Sequence, residues 1–279
     1  MAGNKNLSFE FFPPRNDEAL DELARTAKDL GQLNPEFFSV TYGAGGSSQN
    51  KTLETVLKTK AATNLKVAPH LTCVGSNKEN IKALLDEYQS HNIDHLVCLR
   101  GDIPSGLMHP GEFLHASDLV SFIREYSGDH FTIDVASYPE PHPESNSPDE
   151  DVKHFINKAK AGANSSITQY FYNVDAYLYF VDKVRSEGMD IPIVPGIMPI
   201  TNYKGLIRFS AACGAEIPRW IQLRLEAYQH DKESLKTFGE DVVSSLCQQL
   251  IDNDVPGLHF YTMNKSGPTL NICNNLDLG

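Results

Sequence analysis

A regular alternation constrains this chain more than any other feature. Short apolar runs that read as strands recur at residues 7–15, 37–46, 67–73, 94–100, 131–136, 165–172, 191–197 and 257–264. The segments between them have helical spacing, as in residues 17–33, where Leu20, Leu23, Ala24, Ala27, Leu30 and Leu33 fall on one face. Further helices are expected at 50–63, 77–89, 117–126, 149–161 and 174–187. Residues 202–254 read as mostly helical, with Leu235, Phe238, Val242, Leu246 and Leu250 forming a stripe, and a short helix follows the last run. Eight strands alternating with helices over 279 residues, with no linker, predict a single α/β domain over 1–279: a (β/α)8 TIM barrel with extra helices before strand eight. A doubly wound open sheet is the alternative.

The first run, LSFEFFPPR, contains the anomaly. Leu7, Phe9 and Phe11 alternate with Ser8, Glu10 and Phe12, and Pro13 and Pro14 end the strand. In a barrel the apolar parity faces the helices and Glu10 points inward, near the carboxyl end of the strand where barrel active sites lie. Desolvation there is expected to raise the carboxyl pKa and suit it to general acid chemistry. A solvent-facing Glu paired with a Lys is the plainer alternative. Other strands also end in polar groups: Thr41 and Tyr42, His70, Arg100 and Asp102, Tyr138 and His142, and Gln169. The proline-rich stretch at 137–148, SYPEPHPESNSP, cannot be helical and must form a shaped loop.

Composition narrows the possibilities. The net charge of -12, from 24 basic and 36 acidic residues, disfavours a broad surface for nucleic acid or anionic lipid, so an anionic ligand must meet local positive charge. Five scattered cysteines without a CxxC do not form a disulfide framework or structural zinc site, and Cys73, Cys98 and Cys247 sit in apolar runs. No apolar leader or membrane-length run is present, so a cytoplasmic protein is expected. There is no P-loop, HExxH or GxSxG, and Gly43, Gly45 and Gly46 do not complete a GxGxxG because Ser48 follows. No tight ligand spacing suggests a metal. Tyr170, Phe171 and Tyr172 read as core.

Eight ordered motifs then carry a resemblance: FEFFPPR (9–15), VTYGAGG (40–46), PHLTC (69–73), LRGD (99–102), YPEPHPE (138–144), AGANSSITQYFY (161–172), PGIMPI (195–200) and HFYTMN (259–264). Together they resemble the methylenetetrahydrofolate reductase family, in its short bacterial form without a carboxy-terminal regulatory domain. The resemblance implies an FAD-dependent oxidoreductase that takes a hydride from NADH or NADPH, NADH favoured, and reduces 5,10-methylenetetrahydrofolate to 5-methyltetrahydrofolate by a ping-pong route. The product supplies methyl groups for methionine synthesis. It further implies a homo-oligomer, as the tetramers of the family.

By position, Glu10 matches the family's general acid, which protonates N10 of the folate, and Asp102 the carboxylate near flavin and pterin. Thr41 matches a nicotinamide contact. Tyr42, Ala44, His70, Arg100 and Gly101 fall at flavin positions, as do Ala116, Tyr138, His142, Asp151 and Lys158. Gln169, Phe209 and Lys265 fall at substrate positions. The chain departs from the pattern at His154 and Asn157, where Asn and Arg are expected, at Gly205 in place of Gln, and at Lys265 in place of Arg, where the charge survives without bidentate geometry. Two other readings keep the fold: a non-catalytic flavin or folate carrier subunit, and a cofactor-free lyase using Glu10.

Overall fold

The computed structural model describes residues 6–42, 49–102 and 111–278. Its elements alternate from the start: β1 (Asn6–Phe11), α1 (Asp17–Gly31), β2 (Phe37–Val40), α2 (Gln49–Thr63), β3 (Val67–Thr72), α3 (Lys78–Ser90), β4 (His95–Leu99) and α4 (Ala116–Ser127). The second half continues with β5 (Thr132–Ser137), α5 (Pro148–Lys160), β6 (Ser165–Thr168), α6 (Val174–Ser186), β7 (Ile193–Val194) and β8 (Gly196–Ile197). Three helices follow, α7 (Tyr203–Cys213), α8 (Arg219–Ala227) and α9 (Lys232–Asp252), and then β9 (Gly257–Tyr261) and α10 (Gly267–Asn275). Every ladder is parallel, in the order β7-β6-β5-β4-β3-β2-β1-β9-β8.

The expected seventh strand is therefore two short ones. Pro195 lacks the N–H a ladder needs, so the strand breaks there. Ile193 and Val194 pair with β6, whereas Gly196 and Ile197 pair with β9. The break lets one segment turn from one neighbour to the other, and the sheet closes on itself through a single covalent link. Gly196 is required at this point: a Cβ there would lie 2.2 Å from the Thr168 carbonyl oxygen and 2.7 Å from the Tyr261 ring. The sixth strand is shorter than its apolar run. After Thr168 the chain leaves the ladder, and Tyr170, Phe171 and Tyr172 are buried between barrel and helices, where Tyr170 bonds Ser210 and Tyr172 donates to the Met198 carbonyl.

Side-chain parity divides the core as the first strand predicts. Leu7, Phe9 and Phe11 are buried against the helical layer, with Phe9 tilted against both Phe38 and Phe260 at 5.9 Å. Inside the barrel, Phe37, Ala68, Val97 and Ile167 form a smaller apolar plug. Helix ends follow local chemistry: Asn16, Asn77, Ser147, Asn202 and Asp231 accept backbone N–H bonds as N-caps. In α9, Leu235, Val242, Leu246 and Leu250 are buried, while Phe238 meets Trp220 and Tyr228. All five cysteines are free thiols. Among the described residues no helix is long and apolar enough to cross a membrane.

A polar cluster crosses the barrel interior. His95 Nε2 lies 2.8 Å from Asp134 Oδ2, Ser165 donates to the other Asp134 oxygen, and the Phe37 ring is tilted against the His95 ring with centroids 4.2 Å apart. Burial pushes the Asp134 carboxyl up, but its bonds from His95 and Ser165 outweigh that and hold it low. Asp134→Ala would strand a buried imidazole, and equilibrium urea unfolding is expected to show a loss of about 3–5 kcal/mol.

Candidate active site

The carboxyl ends of the strands open onto a cleft of about 760 Å³ over β3, β4 and β5 and the first turns of α4 and α5. That volume is within the usual range of small-molecule sites. Arg100, Gly101 and Asp102 follow β4 and line it, because the strand ends at Leu99 and Gly101 takes φ +88, a conformation open to glycine. From the first turn of α4 comes Ala116, and from α5 come Asp151 and Lys158. Tyr138 and His142 stand on the proline-rich loop, their rings 4.7 Å apart at 82°. This loop is shaped by its own polar bonds. His142 N–H donates to Asp151, Glu144 N–H donates to His142 Nδ1, and Ser147 caps α5 one residue before Pro148.

Two cations face this cleft from partly buried positions. Arg100 pairs with Glu144 at 2.6 Å. Lys158 donates to the Ala136 carbonyl and lies 5.9 Å from the centre of the Tyr138 ring. Burial pulls its ammonium down to about 8, with Asp151 acting in the opposite direction. An anion beside this amine favours its charged form, and the aromatic wall of Tyr138 suits a planar group. His154 also lines the cleft, with its ring 5.5 Å from that of His115, while Asn157 is exposed on the same helix.

Glu10 does not line this cleft and stands on the inner face of β1. Its Oε2 lies 3.3 Å from His70 Nε2 on β3 and 3.7 Å from His259 Nε2 on β9. The Glu10 carbonyl accepts from the Thr262 hydroxyl at 2.6 Å, and Asn264 bonds both the N–H and the carbonyl of Phe12, so the end of β1 is clamped. The strand context of Glu10 predicts a raised pKa, and the structure lowers it instead. Burial does push the carboxyl up, but His259 and His70 outweigh it and hold it at about 2. Desolvation was legible in the strand pattern; the two imidazoles, 60 and 249 residues away in sequence, were not.

The remaining expected site residues have different positions. His70 faces Glu10 rather than the cleft. Thr41, just past β2, is fixed by its N–H to the Phe11 carbonyl and by Thr52 on its own carbonyl. Tyr42 lines the cleft, and Ala44 lies outside the described residues. Gln169 is one residue beyond β6, where its side chain accepts from the Tyr170 N–H. Phe209 on α7 is 41% exposed with Arg208 over its ring, and Lys265 is exposed after β9. These last three do not line the cleft. Sequence reasoning missed His259, Ser8 and Glu144. The parity of HFYTMN places His259 and Tyr261 on one face of a strand, but only the β1–β9 register sets Ser8 opposite His259 and Glu10 opposite Tyr261. Among the described residues no group of side chains is arranged to hold a metal.

Comparison with known proteins adds an independent line. The family model described as methylenetetrahydrofolate reductase matches residues 1–277. The 5,10-methylenetetrahydrofolate reductases of Salmonella typhimurium and Escherichia coli are each 38% identical over 276 residues, covering 99% of this chain and 92% of theirs. A plant protein of Arabidopsis thaliana, named methylenetetrahydrofolate reductase (NADH) 1, is 36% identical and shares 99% of this chain but 49% of its own length. Among solved structures, an uncharacterized protein from Clostridium thermocellum, described as binding two copies of 5-methyl-5,6,7,8-tetrahydrofolic acid, has the same fold with TM-score 0.70 at 16% identity, over 99% of this chain and 94% of that one.

The Lys158 environment gives a direct test. The 13C signal of the Lys158 ε-carbon is expected to titrate with a midpoint near 8, and Asp151→Asn is expected to move that midpoint lower, because it removes the charge that favours the ammonium.

Proposed function

The chain belongs to the methylenetetrahydrofolate reductase family, and we propose that it reduces 5,10-methylenetetrahydrofolate to 5-methyltetrahydrofolate with electrons from NADH, through bound FAD, by alternate occupancy of one site. The plant relative's name specifies NADH, and the bacterial relatives carry the folate substrate in theirs. The observation that carries the reading is Glu10, a carboxylate turned into the barrel between two imidazoles, on a chain that matches the family from residue 1 to 277.

The cleft's donor set fits a dinucleotide flavin. Arg100 and Lys158 offer positive charge to phosphates, Gly101 and Ala116 leave room for backbone approach, and Tyr138 and His142 present ring faces and edges. When bound, FAD would supply the chemistry of taking and giving a hydride. Within this reading Arg100 exchanges Glu144 for a phosphate, and Lys158 takes up a proton as it meets the anion. Asp102, exposed at the end of β4, places a negative charge where a cationic folate intermediate would be stabilised. Glu10 passes a proton from a carboxyl oxygen to N10 of the folate, so the five-membered ring can open. Thr41 contacts the nicotinamide, and Gln169, Phe209 and Lys265 position the substrates. Gly205 accepts no substrate bond through a side chain, so Lys265 has a larger share in holding an acidic folate tail.

An anaerobic stopped-flow experiment tests the whole reading. NADH is expected to bleach the visible flavin band and methylenetetrahydrofolate to restore it; a protein that takes up no flavin would overturn the assignment. In Glu10→Gln, flavin reduction by NADH is expected to persist, while the folate half-reaction falls by about 10²–10⁴-fold. Equal losses in both halves would remove Glu10 from the acid role. Lys158→Met is expected to lose flavin on gel filtration that the unmodified protein retains, and flavin binding to the unmodified protein near pH 8 should take up protons, seen calorimetrically in buffers of different ionisation enthalpy.

A further inference from the structure

A general acid held ionised by its neighbours needs a source for the proton it delivers, and the interior of the barrel shows one. Among the described residues, the buried polar atoms without a hydrogen-bond partner of good geometry include three on the barrel strands: His70 Nε2, His259 Nε2 and Ser39 Oγ. All three belong to residues turned inward on strands that pack around Glu10. Ser39 is opposite Glu10 in the β1–β2 ladder, and both imidazole nitrogens approach the same carboxylate oxygen, at 3.3 and 3.7 Å. His259 is completely buried, and its other ring nitrogen, Nδ1, is bonded to Ser8 Oγ at 2.7 Å. Ser8 sits opposite His259 in the β1–β9 ladder and two residues before Glu10 on the same strand face. One strand therefore supplies both the acid and the hydroxyl that orients its neighbour.

We propose that His259, oriented by Ser8, acts with His70 as a proton-holding and positioning pair for Glu10, so that the acid of the folate step is a unit of one carboxyl and two imidazoles. The proposal rests on the function given above. In the resting unit an imidazolium carries the proton on Nε2 and Glu10 is a carboxylate. As the folate amine approaches, the Nε2–H bond breaks, a bond forms from hydrogen to Glu10 Oε2, and Glu10 gives a proton to the amine nitrogen. The net change is one proton lost by imidazolium and one gained by the substrate; no electrons move. The imidazole recovers a proton from solvent through the Glu10 carboxyl, whose side chain is 17% exposed.

The other groups facing Glu10 are compatible with this route. On β9, the Tyr261 hydroxyl is committed to the Thr168 carbonyl, and the Thr262 hydroxyl to the backbone carbonyl of Glu10. On β2, Ser39 is neutral. Asp134, a buried carboxylate on β5, is paired with His95 and Ser165. His70 and His259 are thus the cationic partners available to the carboxyl from β3 and β9.

Two measurements test the unit. In the first, the folate half-reaction is followed against pH in the flavin-loaded enzyme, in His259→Gln, and in His70→Gln with His259→Gln. The unmodified enzyme is expected to level off at a higher pH than the double variant, whose lone carboxyl should keep gaining about tenfold per pH unit below the pH at which the unmodified enzyme has levelled off. The single variant should fall between them. Superimposable profiles overturn the proposal. In the second, the free protein carrying 13C-carboxyl glutamate and 15N-ring histidine is titrated by NMR, with Glu10→Gln used to assign the signals. Glu10 and the two rings should share their midpoints, as coupled sites do, and Ser8→Ala, which keeps both rings, should shift them. Independent titration of carboxyl and rings, or no response to Ser8→Ala, overturns it. This second readout needs no substrate turnover, so failure of the reductase reading leaves a separate result.

Discussion

The ladder between β1 and β9 is the interaction on which the site depends. It joins the two ends of the chain, pairing Asn6 to Glu10 with Gly257 to Tyr261 in parallel register. Because side chains alternate across a strand, this one register decides at once that Phe9 and Phe260 meet in the outer core, and that Ser8, Glu10, His259 and Tyr261 face inward. A slip of one residue would exchange the two sets. The apolar parity of LSFEF has no stable alternative: fully buried Phe9 and Phe11 are held to the helical side by a transfer free energy of about 1.5–3 kcal/mol each. Hydrophobic burial on one face thereby fixes an ionisable group on the other.

Closure of the sheet follows from a second local constraint. Pro195 cannot continue a ladder and Gly196 has no side chain to obstruct the Thr168 carbonyl, so the seventh strand divides and serves two neighbours. Its consequence reaches the mouth of the barrel, since Tyr261 can then send its hydroxyl across to Thr168 beside the point where β6 ends and Gln169 begins.

Electrostatics divides the molecule into two kinds of polar group. Asp134, His95 and Ser165 satisfy one another in the interior, as a buried ionic cluster must if its desolvation is to be offset. Around Glu10 the bonding is incomplete: two imidazole nitrogens and a serine hydroxyl remain without good partners. In the cleft, Arg100 is paired with a glutamate that is itself mostly exposed, and Lys158 is held below its ordinary range by burial. Unfinished bonding and displaced proton affinities at one end of a well-packed barrel mark the place where ligands complete the structure.

The sequence by itself determined the alternation of strands and helices, the inward turn of Glu10, the proline-rich loop and the family, because each is carried by local periodicity or by motifs contiguous in the chain. The cleft residues Arg100, Asp102, Tyr138, His142 and Lys158 were legible for the same reason: each lies at or just past the end of a predicted strand or on the helix that follows it. Only the tertiary structure decided that the seventh strand splits, that His70 turns to Glu10, and that His259 and Ser8 join them. It also reversed the expected direction of the Glu10 shift. Desolvation depends on a residue's own strand and can be read from its neighbours in sequence, whereas the opposing charge comes from strands three and nine, whose distance to Glu10 is set by barrel closure and ladder register.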